Sequence, residues 1–451
     1  MRRLLLFVAL AALVVAGAVW VADRPGQISI VWQGWRLDTS VAILLILTAA
    51  LALLFALGLR FLGWLVRIPR RWRRWARERR RRRGYQALTV GMVAVAAGDP
   101  EEARRQARRA DVLLDEPPLT MLLSAQAAQL NGDEAAARRY FTAMLDRRET
   151  EFLGLRGLLM QATRTGDSAA ALELARRARR LRPDTPWVLT TLFELEARAG
   201  HWREAEATLA EAQRRSILPV AEARHRRAAV LLEQARAAEV DGRSRDASDL
   251  AARAHDEDRA FVPATVAYVR LLGAAGRTRK AERVAEKAWS LAPHPDLAAA
   301  YAALAPEGDP VGAAQRMERL AGALPGHIES RMVQATAALR AGLWGEARQK
   351  LEAVVAERPT ARAYGLLAEV EEGENADPAA AQRWLRLAAE APASEAWTCT
   401  SCGSVAPAWS IVCPACGGVD GLRWQAPARS PLLPRPAEEP AAAPTADAPN
   451  P

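Results

Sequence analysis

The sequence lacks the motifs on which most enzymes depend. It has only five histidines, none of them in an HExxH pattern, and no GxGxxG fingerprint follows a predicted strand. These absences exclude HExxH zinc hydrolases and argue against dinucleotide-dependent catalysis. We therefore expect a protein that is not an enzyme, with its histidines in surface or turn positions: His201, His225, His255, His294 and His327.

The chain also has no net charge outside one segment. Residues 67–83 contain eleven arginines and one glutamate, a net charge of +10, which is also the formal charge of the whole chain. The rest of the chain is therefore neutral overall, and the basic pI does not indicate a nucleic-acid-binding domain. RNA binding by the arginine run is an alternative. The apolar sequence before it favours a role at an anionic membrane surface.

Two uncharged apolar segments precede these arginines, Leu4–Ala22 and Val41–Leu59. A helix of this length spans about 28 Å, enough to cross the hydrocarbon core. A cleaved signal peptide is the alternative for the first segment. Arginines flank the pair on both sides, and the loop between is neutral, so the positive-inside rule places both termini in the cytoplasm of an inner-membrane protein. The residues expected at the membrane surface are Arg67, Arg70, Arg71, Arg73 and Arg74.

A spacing of 34 residues recurs after the arginines. It joins Gly98, Gly132, Gly166 and Gly200, then Gly242 and Gly276, and then Gly308, Gly342 and Ala376. An alanine lies five residues after each of these nine positions: Ala103, Ala137, Ala171, Ala205, Ala247, Ala281, Ala313, Ala347 and Ala381. This period is that of the tetratricopeptide repeat (TPR), in which glycine opens a turn and a small residue allows close helix approach. An alanine-rich bundle with accidental spacing is the alternative.

The array is not fully regular. Eight extra residues lie between Ala205 and Ala247, and we place them in residues 219–240, as a longer helix or an added loop. The first helix of each repeat usually lines a concave groove that holds a peptide or protein. The expected groove residues are Gln126, Gln129, Arg164, Glu194, Arg198 and Arg270.

All four cysteines follow the repeats within 18 residues, in a C-x2-C-x10-C-x2-C arrangement. Two such pairs supply four thiolates in a tetrahedron, which suits Zn²⁺. Rubredoxin-type iron and a redox dithiol pair are alternatives, whereas disulfides are unexpected in the cytoplasm. The predicted metal ligands are Cys399, Cys402, Cys413 and Cys416.

The predicted fold is all-α: two transmembrane helices, a TPR solenoid of about nine helix pairs, a small four-cysteine zinc ribbon and a disordered tail. The predicted regions are a transmembrane hairpin (1–66), an arginine-rich segment (67–84), the repeats (85–391), the ribbon (396–425) and a Pro/Ala-rich tail (426–451).

The loop and second-span entry, residues 25–45, resembles the amino-terminal region of the proteobacterial HemY family at Trp32, Gly34, Trp35, Thr39 and Ser40. The resemblance implies two membrane spans followed by TPR repeats, and a role in late protohaem synthesis. The cysteine module is similar instead to the end of LapB, a membrane-anchored repeat protein that regulates lipopolysaccharide synthesis. That second resemblance implies a metal module packed on the repeats.

We therefore expect an inner-membrane TPR scaffold that assembles or regulates membrane-associated enzymes, by resemblance those of haem biosynthesis. A LapB-like regulator of envelope synthesis and a tetrapyrrole-binding carrier, with haem ligated by one histidine, are the alternatives. The expected partners are membrane lipids and proteins, and no nucleic acid.

Overall fold

A computed structural model describes residues 2–23, 26–114, 117–305 and 310–427. The predicted tail lies outside these residues from position 428 onward. The chain forms two compact units, residues 1–140 and 141–451. Within the described residues the structure is mainly helical, and the helices of the repeats form nine successive pairs, as the 34-residue period predicts.

The first unit begins with a helix, a β-hairpin and a very long helix. Its elements are α1 (Arg2–Ala22), β1 (Gln27–Trp32), β2 (Trp35–Ser40), α2 (Val41–Ala97), α3 (Pro100–Leu113), α4 (Pro117–Leu130) and the first residues of α5 (Glu134–Met144). The hairpin pairs β1 and β2 in antiparallel register, from Gln27 opposite Ser40 to Trp32 opposite Trp35. A loop was expected between the two apolar segments. The apolar alternation of these residues and their two-residue Gln33-Gly34 turn are features of a hairpin.

Helix α2 has 57 residues and is therefore about 85 Å long. It contains the second apolar segment, the arginine run and the first helix of the first repeat. The sequence predicts three separate regions here. The structure joins them without a break in the helix.

The second unit continues the helix pairs and ends in a small sheet. Its helices are α6 (Glu151–Thr165), α7 (Ser168–Leu181), α8 (Pro186–Arg198), α9 (Trp202–Arg214), α10 (Val220–Val240), α11 (Ser244–Glu257), α12 (Val262–Ala274), α13 (Thr278–Trp289), α14 (Pro295–Ala302), α15 (Pro310–Gly322), α16 (Ile328–Arg340), α17 (Trp344–Glu357), α18 (Ala361–Glu374) and α19 (Pro378–Glu390). The inserted residues lengthen α10 to 21 residues, one of the two outcomes expected for them.

The recurring glycines end the first helix of their repeats in the left-handed conformation, with φ between 70° and 74° at seven described positions. The residue after each glycine donates its N–H to a carbonyl five residues earlier, as Asp167 does to Ala162 at 2.9 Å. This is the Schellman motif, which favours glycine because a side chain is strained there. At the ninth position Ala376 adopts φ +50° without glycine.

The recurring alanines lie between packed helices. Eight of the nine are at most 1% exposed, and Ala313 is half-buried. A larger side chain at a buried position would have to separate the helices or distort its own rotamer. The alanines that the 34-residue period identifies in the sequence are therefore the residues at which the helices pack closely.

A three-stranded sheet follows the last repeat. Its strands are β3 (Ala396–Cys399), β4 (Val405–Ala406) and β5 (Leu422–Gln425), in the order β4-β3-β5 and antiparallel throughout. We call residues 396–425 the metal module. Its buried residues share one hydrophobic core with residues of α8 to α12.

Candidate metal centre and its docking surface

Four cysteine sulfurs converge in the metal module. The Sγ atoms of Cys399, Cys402, Cys413 and Cys416 all lie within 4.8 Å of one another. The distance is 3.8 Å between Cys399 and Cys416 and 3.9 Å between Cys402 and Cys413, so no disulfide joins them. Sulfurs at the corners of a tetrahedron with Zn–S bonds of about 2.3 Å are about 3.8 Å apart. The four cysteines can therefore hold a metal ion.

Each cysteine pair lies on the same backbone turn. The N–H of Gly403 donates to the carbonyl of Cys399 at 2.8 Å, and the N–H of Gly417 donates to the carbonyl of Cys413 at 2.9 Å. Both glycines have positive φ, 73° and 70°, which favours glycine after the second cysteine of each pair. Two equivalent turns thus direct two pairs of sulfurs at one point.

Local hydrogen bonds favour the thiolate form of two cysteines. The Ser404 hydroxyl lies 3.1 Å from the sulfur of Cys402 and 3.5 Å from that of Cys413. Hydrogen bonds from Ser404 and from the backbone N–H of Cys416 lower the pKa of Cys413 to about 6. Ser404 also lowers the pKa of Cys402. Thiolate is the form that binds a metal ion.

The four ligands would leave no open coordination position. Cys399 and Cys413 are buried, whereas Cys402 and Cys416 are exposed. A tetrahedral site filled by four protein ligands has no place for a substrate or for an activated water. The arrangement is therefore that of a structural centre, which holds the module together.

Aromatic rings pack the metal module on the repeats. Trp409 meets Phe261, just before α12, edge to face, with ring centroids 4.8 Å apart. His294, just before α14, stacks on Trp397 at 5.3 Å and lies 4.2 Å from the ring of Trp424. Such contacts add about 0.5–1.5 kcal/mol per pair beyond the apolar area that they bury. The module is thus seated on the first helices of several repeats.

Hydrogen bonds also cross this interface. Arg198 Nε of α8 donates to the carbonyl oxygen of Gly417 at 2.8 Å, next to the second cysteine pair. Trp397 Nε1 donates to Asp296 Oδ2 at 3.3 Å. These bonds fix the module's orientation because each partner is held by its own helix or turn.

His225 of α10 lies between two aspartates across the interface. Its Nδ1 is 2.8 Å from Asp258 Oδ2, and its Nε2 is 3.3 Å from Oδ1 of Asp420 in the module. The hydrogen bond with Asp258 and the ion pair with Asp420 raise the pKa of His225 to about 9. The hydrogen bond with His225 in turn lowers the pKa of Asp258. The imidazolium is therefore charged at neutral pH and links the module to the array.

The predicted groove residues are divided between the two units. Gln126 and Gln129 lie on α4 in the first unit, and both are partly buried. In the second unit, Arg164 is exposed near the end of α6. Arg270 forms a two-bond ion pair with Glu239, at 2.7 and 2.6 Å. A role of these side chains in binding a partner stays a prediction.

Glu194 and Arg198 are the two groove residues that the structure brings together. Arg198 lies 3.5 Å from Glu194 and donates to Gly417 at 2.8 Å. The metal module therefore covers part of the surface that the sequence assigns to a partner. At α8 the chain's own module occupies this position.

Helix α2 contains an apolar stretch of membrane-spanning length. Ile43–Phe61 comprises 19 residues, none of them buried within the protein. A shorter apolar stretch, Phe7–Gly17, lies within α1. The five arginines assigned to the membrane surface, Arg67 to Arg74, lie in α2. Their side chains are outside the described part of the structure.

Three histidines have structural partners of their own. His294 Nδ1 accepts the N–H of Asp296 at 3.0 Å, and His327 Nδ1 accepts that of Glu329 at 3.1 Å, so both cap helix starts. His255 Nδ1 lies 2.8 Å from the hydroxyl of Thr265. Hydrogen bonds within the protein therefore account for the positions of these three side chains.

His294 lies in the connection before α14, within the surface or turn positions expected for the histidines, but it is only 3% exposed beneath the module's tryptophans. Burial lowers its pKa to about 4, so it is neutral. Since Nδ1 accepts a hydrogen bond, Nε2 carries the proton and has no free lone pair for a haem iron.

Sequence reasoning missed most of the docking surface. Trp397, Trp409 and Trp424 bracket the cysteines in the sequence, but their partners Phe261 and His294 lie more than a hundred residues earlier. Asp258, His225 and Asp420 share no short spacing. The available signal was the excess of tryptophan in so small a module, which suggests that its aromatic rings are covered by another surface.

The fold and site define a membrane-associated TPR protein with a four-cysteine centre seated on its repeats. Residues 26–132 match the family described as HemY protein N-terminus. The chain is 28% identical over 440 residues to the probable magnetosome protein Mms48 of Magnetospirillum gryphiswaldense, which covers 94% of this chain and 93% of that protein. It is 28% identical over 216 residues to Protein HemY of Escherichia coli K12, which covers 45% of this chain and 51% of that protein.

These matches confirm the resemblance drawn from the residues around Trp32 and Gly34: the amino-terminal region of the chain is similar to that of HemY proteins. A solved tetratricopeptide repeat protein from Parabacteroides merdae aligns with 18% identity and a TM-score of 0.27, over 53% of this chain and 98% of that one. The assignment of the repeats rests on the helix pairs themselves.

Proposed function

We propose that this chain is an inner-membrane adaptor whose repeats hold protein partners in the cytoplasm beside the bilayer. Helix α2 carries this proposal, because it connects the apolar stretch Ile43–Phe61 to the first repeat within one helix. The 36 residues that follow Phe61, up to Ala97, rise about 54 Å along a straight helix, which limits how far the first repeat extends from the membrane. A TPR array binds partners along an extended surface and does not depend on a reaction site.

The proposed topology has two membrane passes and both termini in the cytoplasm. The arginine run supports it, because positively charged segments resist translocation. Reporter fusions test it: a fusion after Gly84 should be active in the cytoplasm, and one within residues 27–38 outside the membrane. The reverse pattern would contradict the topology. Cytoplasmic activity of both fusions would mean that Ile43–Phe61 does not cross the bilayer.

The proposed partners are enzymes of protohaem synthesis, by likeness to HemY proteins. Cross-linking of the tagged full-length chain in native membranes, followed by affinity capture, tests this directly. Enrichment of haem-pathway enzymes over a control chain that lacks residues 85–427 would support the proposal. Capture of those enzymes by both chains equally would show that the repeats do not hold them.

For the metal we propose zinc, bound by Cys399, Cys402, Cys413 and Cys416. The closed set of four thiolates and the tetrahedral sulfur spacing support it. Zinc would supply structural cross-linking and no redox chemistry. Iron is the alternative, since rubredoxin-type centres use the same four ligands. Metal analysis of protein purified without affinity resins that carry metal distinguishes the two.

A second candidate is a LapB-like regulator of envelope synthesis. The observation that favours it is the metal module packed on the repeats, which the resemblance to LapB implies. A deletion strain separates the candidates. Loss of haem with unchanged lipopolysaccharide supports the first, and altered lipopolysaccharide with unchanged haem supports the second. A tetrapyrrole-binding carrier would instead show saturable haem binding that one histidine substitution abolishes.

A further inference from the structure

A cleft opens where the described chain ends. It has a volume of about 520 Å³ and is formed by the starts of α14, α16 and α18, by the linker between α19 and β3, and by Trp424 and Ala426. We call it the exit cleft. It adjoins the contacts that seat the module and shares Trp424 and Asp296 with them. The chain continues from Pro427 directly beside it.

The walls of the exit cleft combine apolar and acidic residues. Its apolar surface includes Pro295, Ile328 and Trp424. Its charged residues are four acids and two arginines: Asp296, Glu329, Glu357, Glu395, Arg358 and Arg362. Three of the acids are paired with arginines: Glu395 with Arg358, Glu329 with Arg362, and Glu357 with Arg331 from outside the lining. The remaining local charge of −1 is that of Asp296. The cleft therefore suits an apolar segment with positive charge.

The next residues of the chain have this composition. Residues 428–436 read ARSPLLPRP, with three prolines, two leucines, two arginines and no acid. Proline-rich segments favour the extended polyproline II helix and dock in grooves with aromatic walls. Nine residues in that conformation extend about 28 Å. Because the segment is attached beside the cleft, its effective concentration there is in the millimolar range.

We propose that residues 428–436 bind back into the exit cleft of the same chain. The prolines and leucines cover the apolar wall at Ile328 and Trp424. The positive charges of Arg429 and Arg435 complement the negative charge of the cleft. The bound segment closes the cleft to any other proline-rich basic segment, so a partner of that chemistry has to displace it. This inference is independent of the proposed role in haem synthesis.

A peptide of residues 428–436 tests the proposal by fluorescence anisotropy. The full-length chain in detergent is compared with a chain that ends at Pro427. The peptide should bind the shortened chain and bind the full-length chain at least about tenfold more weakly, because the tethered segment competes. Equal binding to both chains, or no binding to the shortened chain, would overturn the proposal.

Two further variants make the result specific. Ala393→Trp places a bulky ring at an exposed position in the cleft lining, and it should reduce peptide binding to the shortened chain. Ala207→Trp, at an exposed position on α9, is the matched control. If both variants bind the peptide alike, the cleft is not its site. A full-length chain with Arg429→Glu and Arg435→Glu, which keeps the tail, should bind added peptide more tightly than the native full-length chain, and no change would also contradict the proposal.

Discussion

The repeats bury an alanine at almost every helix crossing, whereas the 30-residue metal module buries cysteines and tryptophans. Each repeat is held by its neighbours, so stability is spread over many similar contacts along the array. The module has little core of its own, so we expect a metal ion to supply most of its folding free energy while the repeats cover its aromatic rings. The repeats and the metal module are thus stabilised in two different ways, and Trp409, His225 and Asp420 lie where the two regions meet.

The largest effect is expected from Cys402→Ser, which removes one of the four thiolates. Zinc in such sites contributes about 10–16 kcal/mol of apparent binding free energy, most of the module's folding free energy. The module should lose its metal and its hydrogen-exchange protection, while helical circular dichroism changes little. Ser401→Ala, an exposed neighbour, is the control. A module that stays protected without metal would show that docking alone folds it.

A smaller loss is expected from Trp409→Ala, which removes the ring that packs on Phe261. Truncation of a buried tryptophan costs about 3–5 kcal/mol. Limited proteolysis should then cleave around residues 391–395, while the metal content stays at one ion per chain. Val405→Ala, at an exposed position in the module, should leave the cleavage rate unchanged. If the metal is lost together with docking, metal binding depends on the contact with the repeats.

Overpacking tests whether the recurring alanines lie at tight helix crossings. Ala205→Leu puts a large side chain at a fully buried helix crossing and should lower the free energy of unfolding by about 1–3 kcal/mol. Ala207→Leu, two residues further along α9 and exposed, should change it by less than about 0.5 kcal/mol. Thermal melts that do not distinguish the two would show that this alanine is not at a tight crossing.

The smallest effect concerns pH. The pKa of His225 is raised to about 9 by Asp258 and Asp420, so its contribution to docking is complete below pH 6.5 and is lost as pH rises through about 9. The lowered pKa of Asp258 adds a loss at acidic pH. Arg226 and Arg423 also face Asp420. Module protection should therefore fall near pH 9, and His225→Gln should remove that step. An unchanged profile in the variant would exclude His225 as its cause.

The array could be predicted from the sequence because its geometry is local. The 34-residue period, the glycine before each turn and the alanine at each crossing all follow from contacts between neighbouring helices. The cysteine centre could also be predicted from the sequence, because C-x2-C pairs fix the turn that directs their sulfurs. Even the insertion before Ala247 could be placed, since repeats tolerate a longer helix.

The docking surface could not be predicted in this way. His225, Phe261 and His294 look like ordinary repeat residues, and they meet the module only because the array brings distant helices together. Helix α2 was missed for a different reason. The change from apolar to arginine-rich sequence marks a change of solvent, and backbone hydrogen bonds can continue across that change.

X-ray absorption at the metal edge of the purified full-length protein tests whether the four cysteines form a closed metal centre. We expect one zinc ion per chain with four sulfur neighbours at about 2.3 Å, and no nitrogen or oxygen neighbour in the first coordination sphere. A spectrum with fewer than four sulfurs, or freshly reduced protein without metal, would contradict the claim that these cysteines form a closed structural centre on the repeats.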